Sequence, residues 1–344
     1  MEFLEIDGSY GEGGGQILRT ALTLSVITAT PVRVSRIRAG REVPGLRRQH
    51  VSSLGVLASV FDCKLRGATE GSQEVSFVPG PPKAERISLD MKTAASITLV
   101  LQAVVPAAAL SGSRLTLDLV GGTDVPWSPT FDYYAEDVRS ALGAVGIRFT
   151  AEASRRGYYP RGGGRASVTV EPCGGLRPLS LTRPSDVRTV HVVSRCALLP
   201  RGVAERQMAS AEAALEAAGI AVAERRVAEE TSDSPGSSVL VSSVGASHFV
   251  GSDELGARGK PAEEVGQAAA LRFAGYARAG ATVDDNLADM LVPLLALAPG
   301  PSTVRAAKAS EHLRTSLHTA GLFRRFQSRV RGEGGGTVIE VTPE

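Results

Sequence analysis

The sequence predicts an α+β fold: a large domain of three βαβαββ repeats interrupted by a smaller α/β domain. Three observations predict it. Short alternating strands and apolar helices recur in the same order at an offset of roughly eighty residues, too long for a solenoid repeat. In each pass the loop between second strand and second helix falls in the same place. Those loops hold Arg38 and Arg41, then Asp124 and Pro126, then Glu311 and His312. Between the second and third passes lies a stretch with the different order βαβββα, able to bury a core of its own. The expected division is 1–183 with 281–344 for the large domain and 184–280 for the insert.

The first pass begins with a helix of small and apolar residues over 16–27, followed by the alternating strand 32–37. A helix over 46–60 and short strands near Lys64 and at 75–78 complete it. The second pass runs strand 86–90, helix 93–110, strand 114–120, helix 131–145, and strands 147–153 and 165–170. The insert starts with strand 187–194 and helix 204–218, continues through strands 222–227, 239–244 and 247–250, and ends in helix 262–279. The third pass has helix 284–297, strand 303–307, helix 312–322 and strands 326–331 and 337–341. If the passes pack about a common axis, their three equivalent loops meet at one end.

Composition narrows the class. A chain of 344 residues that is 43% hydrophobic can fill a large core. Its longest apolar run, 97–110, is broken by Gln102 and Pro106 and falls short of a membrane span. No charged-then-apolar leader opens the sequence, so the expected location is cytoplasmic, with no membrane partner. Cys63, Cys173 and Cys196 are odd in number and widely spaced, which excludes a disulfide framework and a four-cysteine zinc site. A net charge of +2 makes no general case for nucleic acid. The local case is stronger, because 33–48 holds six arginines against one acid, Glu42. Only 5 of the 38 basic residues are lysine, so compositional bias toward arginine is the rival explanation.

Two loops about one helix apart carry the chemistry. The first is Asp7-Gly8-Ser9-Tyr10-Gly11-Glu12-Gly13-Gly14-Gly15-Gln16. Glycines at a helix start let backbone amides approach an anion closely. A carboxylate inside that run would repel a bare phosphate, so Glu12 fits a cation that bridges to one. A solvated turn residue is its plain alternative. The second loop, from Ile37 through Arg38 and Arg41 to Arg47-Arg48-Gln49-His50, offers planar, permanently charged forks for phosphate oxygens.

His312 stands at a strand-to-helix junction in Lys308-Ala309-Ser310-Glu311-His312. A neutral imidazole there can attack phosphorus and leave again, although a helix-start histidine is more commonly a cap or surface residue. Gln102 interrupts an apolar helix and reads as a core hydrogen bond or a ligand contact. Asp289 reads as a helix-face charge or a site residue. The glycine loop 157–165 reads as a phosphate loop or a wide hairpin, and 331–336 as a hairpin. His191, His248 and His318 read as structural, and no histidine pair has zinc spacing.

Taken together, the motifs Gly11-Glu12-Gly13-Gly14-Gly15-Gln16-Ile17-Leu18-Arg19, Ile37-Arg38-Ala39-Gly40-Arg41, Arg48-Gln49-His50, Gly121-Gly122-Thr123-Asp124, Tyr158-Tyr159-Pro160-Arg161-Gly162, Leu287-Ala288-Asp289 and Ser310 with His312 and Thr315 resemble the RNA 3′-terminal phosphate cyclase family. The resemblance spans essentially the whole chain. It implies repeats like those of a translation initiation factor's C-terminal domain, as also found in enolpyruvyl transferases, and a thioredoxin-like insert. It implies an ATP-dependent ligase that converts an RNA 3′-phosphate to a 2′,3′-cyclic phosphate with Mg or Mn. By resemblance His312 forms a covalent AMP adduct and Glu12 holds the metal. Gln16, Gln102 and Asp289 would line the nucleotide site, with Pro126 and Phe249 flanking adenine. Arg19, Arg38, Arg41, Gln49 and His50 would hold the RNA phosphates. Asn286, Met290 and Ser316 depart from residues common in the family, the first two beside Asp289 and the third in the histidine motif. An enolpyruvyl-type transferase and a non-catalytic RNA-binding relative are the alternatives. A homodimer is compatible with the sequence without being specified by it.

Overall fold

The computed structural model describes residues 2–11 and 13–344. It is a mixed α+β fold in which four small sheets are covered by helices. The first sheet combines β1 (Leu4–Asp7), β2 (Val32–Ser35), β3 (Lys64–Arg66) and β4 (Val75–Val78) in the order β1-β2-β4-β3. Helix α1 (Gly15–Thr28) links β1 to β2, and α2 (Arg48–Val60) links β2 to β3. The β1–β2 pair is parallel and the others antiparallel. The second sheet repeats that plan with β5 (Arg86–Asp90), β6 (Leu115–Gly121), β7 (Phe149–Arg155) and β8 (Gly164–Val170), ordered β5-β6-β8-β7. Along β6 every second residue is buried, the pattern of a strand with one face on the core. Helix α3 (Ile97–Leu110) joins β5 to β6. It is apolar on nearly all sides, so it runs through the interior and packs on α1 and α2.

The connection after β6 is not the single helix expected over 131–145. A turn of α4 (Phe131–Tyr133) passes into a π-helical turn, Tyr134–Val138, and then α5 (Arg139–Ala144). The wider turn lets three buried polar side chains face different partners: Asp132 toward Arg156 and Arg195, Tyr133 toward Asp284, and Asp137 toward Ser242.

The next sheet is built from β9 (Thr189–Ala197), β10 (Ala221–Glu230), β11 (Gly236–Val244) and β12 (Phe249–Leu255), ordered β10-β9-β11-β12. Helices α6 (Gly202–Ala217) and α7 (Ala262–Arg278) pack together and cover it, enclosing a hydrophobic cluster separate from the main one. The chain then forms α8 (Asp285–Leu295), β13 (Ser302–Ala306), α9 (Glu311–Phe323), β14 (Phe326–Glu333) and β15 (Gly336–Pro343). This last sheet has three strands, ordered β13-β15-β14.

Two pieces of backbone escaped the sequence reading. Strand β1 precedes the first helix, and its alternating Leu4-Glu5-Ile6-Asp7 pattern was the available signal. Beside β13, the segment that precedes β9 pairs along the strand. Leu181 N–H donates to Thr303 O at 2.7 Å, Thr303 N–H to Leu179 O at 2.8 Å, and Ser180 bridges Thr303 in parallel. Too short to show periodicity, that piece is recognisable only from its pairing. The main core gathers α1, α3, α8 and the inner faces of the first, second and last sheets.

Candidate functional site

The ends of several elements converge where α1 starts. The glycine loop between β1 and α1 has left-handed backbone at Gly11 and Gly13, a conformation glycine adopts without steric cost. It is also wedged between neighbours. A Cβ on Gly11 would lie 2.4 Å from Thr315 Oγ1 of α9, and one on Gly15 would lie 2.4 Å from His50 Nε2. The loop's glycines therefore bring the helix that carries His312 and the arginine loop onto one point. Glu12 lies outside the described residues. Among the described residues, no group of three or more His, Cys, Asp or Glu side chains gathers to hold a metal ion.

The arginine loop surrounds the same point with different types of donor. Arg38 has left-handed backbone, and its Nη1 donates to the carbonyls of Val43 and Gly45 at 2.8 and 3.1 Å. It braces the loop. Burial, helped by Arg47 and Arg41, pulls its pKa below the usual arginine value. Arg41 Nη2 lies 3.5 Å from where a Cβ on Gly14 would stand, so this exposed guanidinium reaches the glycine run. His50 is 5% exposed. Burial and the charges of Arg19, Arg38 and Arg47 drive its pKa down to about 4, so it is neutral at physiological pH. Its Nδ1 accepts from the backbone N–H of Arg47 at 3.0 Å, which leaves the ring proton on Nε2, facing Gly15. His50 is therefore a neutral donor set among cations. Gln49 is exposed on the first turn of α2.

Arg19 joins this arc to a cavity. Its Nη2 donates to Gln16 Oε1 at 2.8 Å, while Nε is buried without a hydrogen-bond partner among the described residues. Burial lowers its pKa to about 10, still charged at neutral pH. Gln16 in turn donates to Ser316 Oγ of α9 at 3.3 Å. Gln16, Arg19, Gln102, Asp289 and His312 line one cavity of about 230 Å³. Position 312 is the second residue of α9, and the helix start is fixed by two bonds. Ser310 Oγ accepts from Leu313 N–H at 2.8 Å and donates to Asp289 Oδ1 at 2.6 Å. Asp289 thus holds in place the cap from which His312 projects. On its other side His312 faces a wider cleft of about 760 Å³, where Arg278 and Lys308 supply positive charge.

Not every expected residue gathers here. Phe249, read as an adenine flank, is only 7% exposed and its ring belongs to the main core. Its backbone N–H is tied to Thr282 O at 2.8 Å, which turns that end of β12 inward. Asp253, four residues on, lines the cavity instead. Pro126 is exposed and outside the lining, whereas its neighbours Trp127, Ser128 and Pro129 form one wall. Asp124 is buried and braces that loop by accepting from Thr123 Oγ1 at 2.6 Å and Phe131 N–H at 3.3 Å. Glu311 pairs with Arg314 on the surface. The glycine loop 157–165 is a turn between β7 and β8, and the Asp233 carboxylate lies against Gly163, an arrangement hostile to phosphate. His318 stacks on Tyr10 with ring centres 3.6 Å apart, His191 pairs with Glu136, and His248 shares a hydrogen bond with Ser243.

Sequence reasoning missed Trp127 and Asp253. Trp127 had a signal, as the chain's one tryptophan in a Gly/Pro-bounded loop; Asp253, within an ordinary strand, had none.

A glycine-rich helix start, an arc of cations with a neutral imidazole donor, and a second imidazole beside an amide-and-carboxylate cavity are groups whose chemistry suits phosphate esters. The comparisons name the class more closely. The family described as RNA 3′-terminal phosphate cyclase matches residues 10–330. The chain is 43% identical to the RNA 3′-terminal phosphate cyclase of Thermococcus gammatolerans, over 97% of this chain and 96% of that one. It is 42% identical to that of Caldivirga maquilingensis, with 93% and 92% covered, and 38% identical to that of Methanopyrus kandleri over the full length of both. The enolpyruvyl transferase NikO of Streptomyces tendae aligns at 12% identity over 98% of this chain and 81% of that one, with a TM-score of 0.21, too low to bear on the fold. The chain belongs to the RNA 3′-terminal phosphate cyclase family, a family of enzymes.

Proposed function

We propose that the chain uses ATP to convert the 3′-phosphate end of an RNA to a 2′,3′-cyclic phosphate, with His312 as the covalent nucleophile. One observation carries this reading: His312, Gln16, Arg19, Gln102 and Asp289 share a cavity that borders the glycine and arginine loops. In the first step an imidazole nitrogen of His312 attacks the α-phosphorus of ATP. A P–N bond forms, the bond to the bridging oxygen breaks, and pyrophosphate leaves. A 3′-phosphate oxygen of the RNA then attacks the same phosphorus and displaces the imidazole, giving an RNA(3′)pp(5′)A end. Finally the adjacent 2′-hydroxyl, losing its proton, attacks the RNA phosphorus and AMP departs. The sequence replaces oxide, a poor leaving group, with AMP.

The side chains divide this work. Asp289, through Ser310, aims the helix start that presents His312. Gln16, Gln102 and Asp289 suit the uncharged parts of the nucleotide. Arg19, Arg38, Arg41, Gln49 and His50 suit the RNA phosphates, with Arg38 acting mainly by shaping its loop. Because phosphate contacts do not read bases, RNA sequence selectivity is expected to be weak. A divalent ion, Mg or Mn, held by Glu12 would offset charge on the triphosphate when bound.

Three finer readings accompany this one. The large domain comprises 1–183 and 281–344, and 184–280 is an insert, supported by its separate sheet and hydrophobic cluster. The large domain is three βαβαββ units and the insert is thioredoxin-like, supported by the matching order of the first two sheets. The protein works in the cytoplasm, where ATP and RNA ends occur together; among the described residues no helix is long and apolar enough to cross a membrane.

The test is transfer of label. Incubated with ATP labelled at the α-phosphorus and Mg or Mn, then denatured, the protein should retain an acid-labile label, and His312→Ala should fall to background. Wild-type protein that takes no label from any nucleotide, or a variant that labels as well as wild type, would show that the reading is wrong.

A further inference from the structure

Trp127 is 96% exposed, the most exposed of the large hydrophobic side chains, and its backbone is left-handed with φ +60°. A bulky residue in that region is strained, and a bare indole in water is unfavourable, so neither feature serves folding. Nor is the loop loose. Ser128 Oγ donates to Val125 O at 2.8 Å, and Thr98 Oγ1 donates to Pro129 O at 2.8 Å. Asp253 Oδ2 accepts from Thr130 N–H at 2.6 Å. The backbone that carries Trp127 is therefore anchored on both sides, and the residue lines the wall of the cavity that contains His312.

We propose that Trp127 is the stacking platform for the nucleobase of ATP, a residue that supplies nucleotide affinity for the adenylylation step. This rests on the assignment of that cavity to the nucleotide. The choice of ATP over RNA follows from charge. Apart from Arg19 and His312, the cavity presents Asp253, Asp289 and Asn286 with Gln16 and Gln102, groups that suit a neutral heterocycle and ribose. Arg41 and the donor His50 lie outside it, against Gly14 and Gly15, and the guanidinium that does line it, Arg19, is bonded to Gln16. Stacking on an aromatic face tolerates any base, so the platform supplies affinity, and discrimination falls to the polar groups around it.

Trp127 is the only tryptophan in the chain, so its emission reports on this position alone. Wild-type protein would be titrated separately with ATP, with tripolyphosphate and with a 3′-phosphorylated oligonucleotide. Saturable quenching by ATP but not by tripolyphosphate is expected. Trp127→Ala should raise the KM for ATP in label transfer by roughly five- to a hundred-fold, the range for losing one aromatic–base stack. Trp127→Phe should recover most of that loss, and the KM for RNA should stay within about two-fold in both. Trp127→Gly, which relieves the strained backbone, should melt no lower than wild type while sharing the KM defect. Emission that ignores ATP, quenching by tripolyphosphate or by RNA alone, or an unchanged KM for ATP in Trp127→Ala would overturn the proposal. Absence of label transfer in wild type with base-dependent quenching intact would instead overturn the histidine chemistry and leave the platform standing.

Discussion

At the scale of single residues, His50 shows how neighbours decide chemistry. Its sequence context, at the end of an arginine run, invites a cationic role. Burial and three nearby guanidinium groups make it neutral, and the bond from Arg47 N–H selects which nitrogen keeps the proton. Gly15 is the other half of that arrangement, because only a residue without Cβ leaves room for the imidazole. Gly15→Ala would place a methyl group 2.4 Å from His50 Nε2 and 3.3 Å from Arg19 Nη1. The ring is enclosed, so it must shift, at about 1–3 kcal/mol for overpacking. The expected result is a KM for 3′-phosphorylated RNA raised at least several-fold, with label transfer from ATP less affected. Steady-state kinetics with each substrate varied would check it, and equal damage to both steps would contradict this division of the site. Much of the candidate site's make-up was legible: the glycines and arginines sit in loops, and His312 at a helix start, whose composition points to anion handling. The orphaned Nε of Arg19 and the inward turn of Phe249 were not, because both depend on what packs against them from distant parts of the chain.

At the scale of elements, the sequence supplies most helices and strands because their apolar periodicity is strong. It fails where polar contacts reshape a helix. Residues 131–145 carry the pattern of one continuous helix, and the π turn answers to partners on β9, β11 and α8 that no local window contains. Asp132 shows what that turn secures. Its carboxylate meets Arg156 Nη2 and Arg195 Nε, each at 2.6 Å, joining α4, the turn after β7 and the sheet that contains β9. Burial works against the charged carboxylate, yet Arg156 and Arg195 together hold its pKa below the usual range. Asp132→Ala would leave both buried guanidinium groups short of a partner, and a loss of about 3–5 kcal/mol is expected. Arg86→Ala, which breaks an exposed pair with Asp118, should cost under about 1 kcal/mol. Urea denaturation of both variants would compare them; similar small losses would mean that the buried network does not tie these elements together.

At the scale of the whole molecule, buried titratable groups in different parts of the chain push stability in opposite directions with pH. The repeated sheet order was legible from the eighty-residue offset, but this balance was not, since it depends on which groups the assembled core encloses. Asp284 caps α8, accepts from Tyr133 and from Gly251 N–H, and has its pKa raised to about 7, chiefly by burial. Between its unfolded value and 7 the folded protein binds a proton that the unfolded chain releases. Its contribution is therefore present at low pH and lost as pH rises toward 7. His50 acts the other way. Its folded pKa of about 4 lies below the ordinary value of 6.5, so between those limits the unfolded chain takes the proton. That term is absent above about pH 6.5 and costs stability progressively as pH falls toward 4. His50→Gln removes only the second term, together with the acceptor for Arg47 N–H. The variant should be less stable than wild type at pH 7.5, and the gap should shrink by about 2 kcal/mol at pH 5. Urea midpoints at both pH values measure the gap directly. A difference that stays constant would mean that His50 titrates near its ordinary value in the folded protein. The imidazole beside Gly15 would then be a cation at mildly acidic pH, and RNA binding would strengthen there instead of holding level.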